Sequence, residues 1–162
     1  MIQVGDRLPE GAFRVKNADD TITPVTTDAL FKGKKVVFVG VPGAFTSTCH
    51  NAHIPQFIAN ATTLRDKGVD GIVVMAVNDA HVMKAWGEAL DAGDKIAFVS
   101  DGNGDYAKAL GLALDLAGAG MGTRVKRFSA LVEDGVVKTL NFEPEGGKGI
   151  QATGAATMLD QL

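Results

Sequence analysis

Apolar residues along this chain fall in short runs separated by glycine-rich punctuation, with no internal repeat and no low-complexity tract. Residues 36–41, Val-Val-Phe-Val-Gly-Val, are mostly β-branched and show no alternation, which predicts a strand buried on both faces. Beyond it the apolar positions move to three- and four-residue steps. Ile54, Phe57, Ile58, Ala61 and Leu64 share one helical face, and Gly68 suits the end of that segment. Pro55 stands inside the pattern, so the helix is expected to kink there or to open with a separate short turn. Residues 72–77 predict a second buried strand. Asn78 or Asp79 then suits the cap of a helix running through Val82, Met83, Trp86, Ala89 and Leu90.

Residues 96–99 predict a third short strand and residues 106–110 a brief helix. Residues 127–133 and 136–142 bracket Asp134-Gly135, a two-residue hairpin signal, and residues 155–162 read as a terminal helix. Strands alternate with helices early and a hairpin comes late. That order predicts an α/β fold of three layers, a mixed central sheet with helices on both faces.

The length of 162 residues suits one domain spanning 1–162. A formal net charge of -3 offers no basic field for nucleic acid or anionic lipid, and no apolar stretch reaches the ~20 residues that span a bilayer. Residues 1–6 lack a basic-then-apolar leader, and one cysteine fits a reducing compartment, so a cytoplasmic setting is expected. His, Cys and carboxylate spacing offers no metal site.

The single cysteine, Cys49, lies where the first buried strand gives way to a helix, behind Pro42, Thr46 and other polar positions. Amide groups at such a junction favour an anion. A free cysteine titrates near ~8.5 and is about 3% thiolate at neutral pH. To be mostly ionised it needs roughly 3.4 kcal/mol of differential stabilisation. A helix N-terminus supplies ~0.3–1 kcal/mol, and ~2 at best. A reactive Cys49 therefore requires a cation beside it. Arg124, Lys126 and Arg127 are candidates, and alternation puts Arg127 on the face shared with Ser129 and Leu131. His53, four residues beyond the thiol and so at the facing spacing, and His50, adjacent to it, are further candidates, each read first as a helix-surface histidine. Thr46 reads as a helix cap or a ligand contact, Pro42 as a loop stiffener or a strand terminator, and Cys49 itself as a nucleophile or a buried inert thiol.

Pro42, Thr46 and Cys49 match the hallmark Pro-x-x-x-Thr-x-x-Cys, and the chain resembles a peroxiredoxin. The string Val41-Pro42-Gly43-Ala44-Phe45-Thr46 is similar to the atypical peroxiredoxin 5 branch, which includes plant and bacterial type II enzymes. Val77-Asn78-Asp79, Met83-Lys84-Ala85-Trp86, Ala109-Leu110-Gly111-Leu112 and Lys126-Arg127-Phe128-Ser129 extend the likeness over nearly the whole chain. The resemblance implies a thioredoxin-like fold and thiol-dependent reduction of hydrogen peroxide and organic hydroperoxides, without metal or organic cofactor. It implies that Cys49 is the peroxidatic nucleophile, Thr46 a hydrogen-bonding partner of peroxide and thiolate, and Arg127 the required cation. Pro42 would shield the pocket, and Gly43 and Phe45 would belong to the backbone that meets the peroxide. It further implies a homodimer with Phe45 near the interface. Ser47 replaces a proline common at that position, which leaves the loop slightly less rigid. The resolving cysteine that some members carry in the late loop is absent from residues 149–153. An external thiol must then complete the cycle: glutathione or glutaredoxin, with thioredoxin a further candidate.

Three other readings compete. A Cys–His hydrolase or acyl-transfer enzyme needs a histidine base at Cys49. A nucleotide-binding module could be built on Gly102-Asn103-Gly104-Asp105-Tyr106-Ala107, although Asp101 and the short helix read more naturally as a turn and cap. A redox-dead relative could serve as a binding or chaperone-like partner.

Overall fold

The computed structural model describes residues 1–144 and 150–162. Three strands carry the centre: β3 (Lys35–Gly40), β4 (Gly71–Ala76) and β5 (Ala97–Ser100). They run parallel, with Val37 opposite Ile72 and Val74 opposite Phe98. On the far side of β3 lies the antiparallel hairpin of β8 (Phe128–Glu133) and β9 (Val136–Phe142). Asp134 and Gly135 both take positive φ, 48° and 78°, the two-residue turn that the pair predicts. Two strands absent from the sequence-based expectation, β1 (Ala12–Lys16) and β2 (Ile22–Thr26), complete the other edge. Among the described residues the sheet therefore has seven strands in the order β2-β1-β5-β4-β3-β8-β9. Strands β6 (Ala113–Asp115) and β7 (Thr123–Val125) form a separate small ribbon.

β3 is buried on both faces, and its alternate side chains feed two cores. Val37 and Val39 pack with Phe57 of α2 (Ile54–Ala59), Leu64 of α3 (Ala61–Asp66), Met83 and Trp86 of α4 (Ala80–Ala89) and Met158 of α6 (Ala155–Asp160). Val36 and Phe38 pack with Phe31 of α1 (Thr27–Phe31), Tyr106 of α5 (Asp105–Ala109), Leu110 just beyond it, and Phe128. Helices thus cover both faces of a mixed sheet, and the fold is the thioredoxin-like three-layer sandwich. Gly40 faces Phe128 across the β3–β8 ladder, and a Cβ there would run into the Phe128 ring. Only a bare backbone lets that ring lie over the last residue of the strand. No helix among the described residues is long and apolar enough to cross a membrane.

Some boundaries shift. The helix expected from 54 to 64 breaks at Asn60 (φ -105°, ψ 9°), which separates α2 from α3. Pro55 stands in the first turn of α2, and a separate turn carrying Cys49 precedes it. The terminal helix stops at Asp160. Of the two cap candidates ahead of α4, Asp79 accepts from the Val82 amide at 2.9 Å, while Asn78 serves elsewhere.

Candidate active site

β3 ends at Gly40 and the chain enters an eight-residue approach to the thiol. Polar groups from three sources fix that loop. The Val41 amide continues the sheet ladder to the Met75 carbonyl at 3.1 Å. The Asn78 side chain, at the end of β4, accepts from the Ala44 amide at 2.9 Å. Arg124 on β7 donates to the Pro42 carbonyl at 3.2 Å. Phe45 holds a left-handed φ of 62°, costly for a non-glycine residue, and is 49% exposed. Its ring stacks on His50, centroids 5.6 Å apart, and the buried Trp86 indole donates to His50 Nδ1 at 3.0 Å.

The Thr46 hydroxyl does not cap the helix, contrary to one expectation. It donates back to the Gly43 carbonyl at 2.7 Å, while the Thr46 carbonyl accepts from His50. The loop closes on itself, and the hydroxyl oxygen keeps its lone pairs. Among the described residues the amides of Gly43, Phe45, Thr48 and Cys49 have no protein acceptor, whereas that of Ala44 is spent on Asn78.

Cys49 opens a π-helical turn, Cys49–His53, in which the Ile54 amide reaches back five residues to the Cys49 carbonyl. Such turns recur at functional sites. Both Cys49 and His53 are fully buried. Arg127 immediately precedes β8 and lies on the face that alternation assigns it. Its Nη2 donates to Cys49 Sγ at 2.9 Å, and its Nη1 donates to His53 Nδ1 at 2.6 Å. Arg127 is half-buried, so the guanidinium stands between a fully buried sulfur and the surface. Of the other two cations considered, Arg124 serves the Pro42 loop and Lys126 lies 4.9 Å above the Phe142 ring.

His53 is neither a surface residue nor a partner of the sulfur. A guanidinium can only donate, so Nδ1 must accept. Nε2 lies 2.9 Å from the Thr153 carbonyl, which can only accept, so Nε2 carries the proton. Burial, joined by the Arg127 charge and partly offset by the Thr153 bond, pulls the His53 pKa down from 6.5 to about 4. The ring is neutral at physiological pH. Thr153 is held in turn by Glu143, whose carboxylate accepts from the Thr153 hydroxyl and from the amides of Gln151, Ala152 and Thr153. Burial alone would raise the Glu143 carboxyl, but those bonds outweigh it and hold it below its usual range. The Glu143–Thr153 clasp spans only 10 residues but carries no motif, and its link to Arg127 is tertiary, with 100 residues between His53 and Thr153 and 74 between His53 and Arg127, so neither is legible in the sequence. The stretch 149–153, which lacks the resolving cysteine some members carry, begins at Gly149, outside the described residues; its last three positions carry this clasp.

The chain matches the redoxin family over residues 3–159. It is 45% identical to peroxiredoxin-2C of rice, over 99% of this chain and 98% of that protein. The chain belongs to the peroxiredoxin family. Among solved structures, reduced Prx3 of Vibrio vulnificus in complex with hydrogen peroxide superposes with a TM-score of 0.92 at 43% identity, covering 99% of both chains. Peroxiredoxin 5 of Alvinella pompejana gives a TM-score of 0.84 at 28% identity, covering 98% of this chain and 96% of that one. With one cysteine in its sequence, this peroxiredoxin belongs with the peroxiredoxin 5 and type II branch and lacks a resolving cysteine. It is a thiol peroxidase.

The hydrolase alternative loses its base. The His53 lone pair is committed to Arg127, and a ring with a pKa of about 4 is a poor proton acceptor at neutrality. His50 Nδ1 is committed to Trp86. The glycine-rich stretch at 102–107 is a turn and cap, as expected: the buried Asp101 carboxylate accepts from the Tyr106 and Ala107 amides at 3.0 and 2.8 Å.

Proposed function

We propose that this peroxiredoxin runs a one-cysteine cycle completed by an external thiol, glutathione directly or through glutaredoxin, with hydrogen peroxide and organic hydroperoxides as oxidants. The observation that carries the reading is the 2.9 Å hydrogen bond from Arg127 to the sulfur of the only cysteine. The Cys49 thiolate attacks the nearer peroxide oxygen. An S–O bond forms, the O–O bond breaks, and the departing oxygen leaves as water or alcohol after taking a proton. Arg127, the Thr46 hydroxyl and the unspent loop amides of Gly43 and Phe45 stabilise charge on the two oxygens as the bond lengthens. Pro42, which brings no N–H of its own, covers the loop's approach.

The sulfenic acid then receives a thiol. A mixed disulfide forms with loss of water, and a second thiol attacks its outer sulfur, releasing the Cys49 thiolate and a small disulfide. Two features support an external thiol: the sequence has no second cysteine, and the Glu143–Thr153 clasp occupies part of the loop in which other members carry one. The exposed Phe45 ring, stacked above His50, supports a homodimer built on that loop. A cytoplasmic setting, rich in reduced glutathione, suits this chemistry.

The test supplies peroxide with glutathione, with glutathione and glutaredoxin, or with thioredoxin, and follows turnover. The mixed disulfide on Cys49 is read by mass spectrometry, and dimer mass by sedimentation. Peroxide consumption by Cys49→Ser at the wild-type rate, or turnover supported by thioredoxin alone, would refute the reading.

A further inference from the structure

Arg124 is a second guanidinium at the peroxide loop, and the peroxidase cycle as derived does not use it. It is half-buried on β7. Its Nε donates to the Met121 carbonyl at 2.9 Å and its Nη1 to the Pro42 carbonyl at 3.2 Å. Those bonds fix the plane of the group. They use two of its five N–H donors and cancel none of its charge. Among the described residues no carboxylate lies within ion-pair distance of it. The neighbouring loop is shaped to admit it: a Cβ at Gly43 would lie 3.0 Å from Arg124 Nη1 and 2.9 Å from the Thr46 methyl. The guanidinium therefore sits against the residue whose carbonyl anchors the Thr46 hydroxyl, next to the site of reaction. Lys126, the other cation on this stretch, is spent on the Phe142 ring, and Arg127 on Cys49 and His53. Three fixed donors with an unneutralised positive charge, on a chain of net charge -3, match the planar geometry of a carboxylate.

We propose that Arg124 forms a carboxylate-binding subsite at the edge of the peroxide loop, which orients an anionic co-substrate over Cys49. The inference rests on the one-cysteine cycle above. The carboxylate has two chemical sources: the peptide carboxylates of a glutathione-like thiol, or the carboxylate of a fatty-acid hydroperoxide. In either case the reacting end enters toward the sulfur and the charged end stays at the rim.

Ratios of rates test this, because any loss common to two substrates cancels. In the reduction arm, sulfenic acid preformed on Cys49 is reduced by glutathione or by glutathione diethyl ester. In the oxidation arm, reduced enzyme is consumed by a fatty-acid hydroperoxide or by its methyl ester. Arg124→Gln is expected to lower the acid-to-ester ratio about tenfold in one arm, the low end of what a charge-assisted hydrogen bond contributes. The arm that responds names the source. Ratios unchanged in both arms would make Arg124 a loop clamp and overturn the proposal. A measurement on the wild-type protein covers the case in which the variant misfolds. S-methylglutathione, which cannot react, is expected to compete with glutathione at least tenfold better than its diethyl ester does if the thiol is the source, and a saturated fatty acid to compete with the fatty-acid hydroperoxide at least tenfold better than its methyl ester does if the hydroperoxide is; equal competition within both pairs also overturns the proposal. Dimedone trapping of the sulfenic acid separates this failure from failure of the underlying cycle, since without sulfenic acid no ratio is measured.

Discussion

Acidification should expose His53. Its pKa is about 4 in the fold against 6.5 in an unfolded chain, so between those values the unfolded state binds more protons and stability rises with pH. The stability is fully present above about pH 6.5 and is lost as pH falls toward 4. From these two values the wild-type protein loses about 2 kcal/mol between pH 8 and pH 5, and about 3 kcal/mol once pH passes below 4. The upper part of the window separates His53 from the carboxyls. Glu143 is shifted down and adds its own acid loss only below its ordinary range, while Asp101, pushed up by burial, works in the opposite direction. His53→Gln is the control. The amide oxygen can accept from Arg127 and the amide nitrogen can donate to Thr153, so both bonds persist on a side chain that does not titrate. Urea midpoints from pH 8 to pH 5 should fall in the wild-type protein and stay nearly flat in the variant. Parallel curves would show that the ring is already solvated or already charged, and the assignment of a neutral, Nε2-protonated histidine would be wrong.

Three further outcomes follow from the same geometry. Arg127→Gln removes the charge facing the sulfur and should slow Cys49 oxidation by about 10²–10³, read by stopped-flow fluorescence of the sole tryptophan, Trp86; oxidation within threefold of wild type would remove Arg127 from the mechanism. Gly40→Ala drives a methyl into the Phe128 ring and should cost about 1–3 kcal/mol in thermal unfolding, with an unchanged midpoint contradicting the close approach. Glu143→Gln gives up a charge-assisted cradle for the amides of Gln151, Ala152 and Thr153. Amide exchange at those residues should rise about tenfold while that of β3 stays protected, and equal protection would show that the clasp carries no weight.

Much of the central sheet was legible because its burial is two-sided. The 36–41 run, with Val37 and Val39 facing one core and Val36 and Phe38 the other, has few alternative readings. β1 and β2 escaped notice for the opposite reason. In β2 every residue is exposed or half-exposed, and Pro24 suits only an edge strand, so no apolar period marks it. β6 and β7 are three residues each, too short for any period to register. At the site, alternation in β8 places Arg127 on the correct face, and the need for a cation follows from the chemistry of the thiol. Which cation meets it is a tertiary fact. Arg124, three residues away on the small ribbon, lies on a different element and points its donors at Pro42. The position of Thr46 suggests a cap, but the π-turn moves the helix start beyond it, and its hydroxyl closes the loop instead.

The choice of partner for Arg127 has a consequence for the sulfur. A guanidinium holds its charge across the physiological range, so the cation at Cys49 does not come and go with pH. It must still be aimed, and a buried arginine is commonly aimed by a carboxylate. A carboxylate at position 53 would neutralise much of the guanidinium's charge and weaken the field it presents to the sulfur. A neutral imidazole fixes Nη1 without competing for charge. The nearby carboxylate, Glu143, is one step removed: it is spent on three amides and a hydroxyl, and reaches Arg127 only through the Thr153 carbonyl and the His53 ring. The depressed basicity of His53 is what makes this arrangement work. A ring that protonated near neutrality would present N–H to N–H at Nη1 and push the guanidinium away. The site is therefore expected to keep its peroxide reactivity through most of the window in which stability is lost and to lose it around pH 4, where the ring protonates in the folded protein. An oxidation rate that fell while stability held would place the titrating group elsewhere.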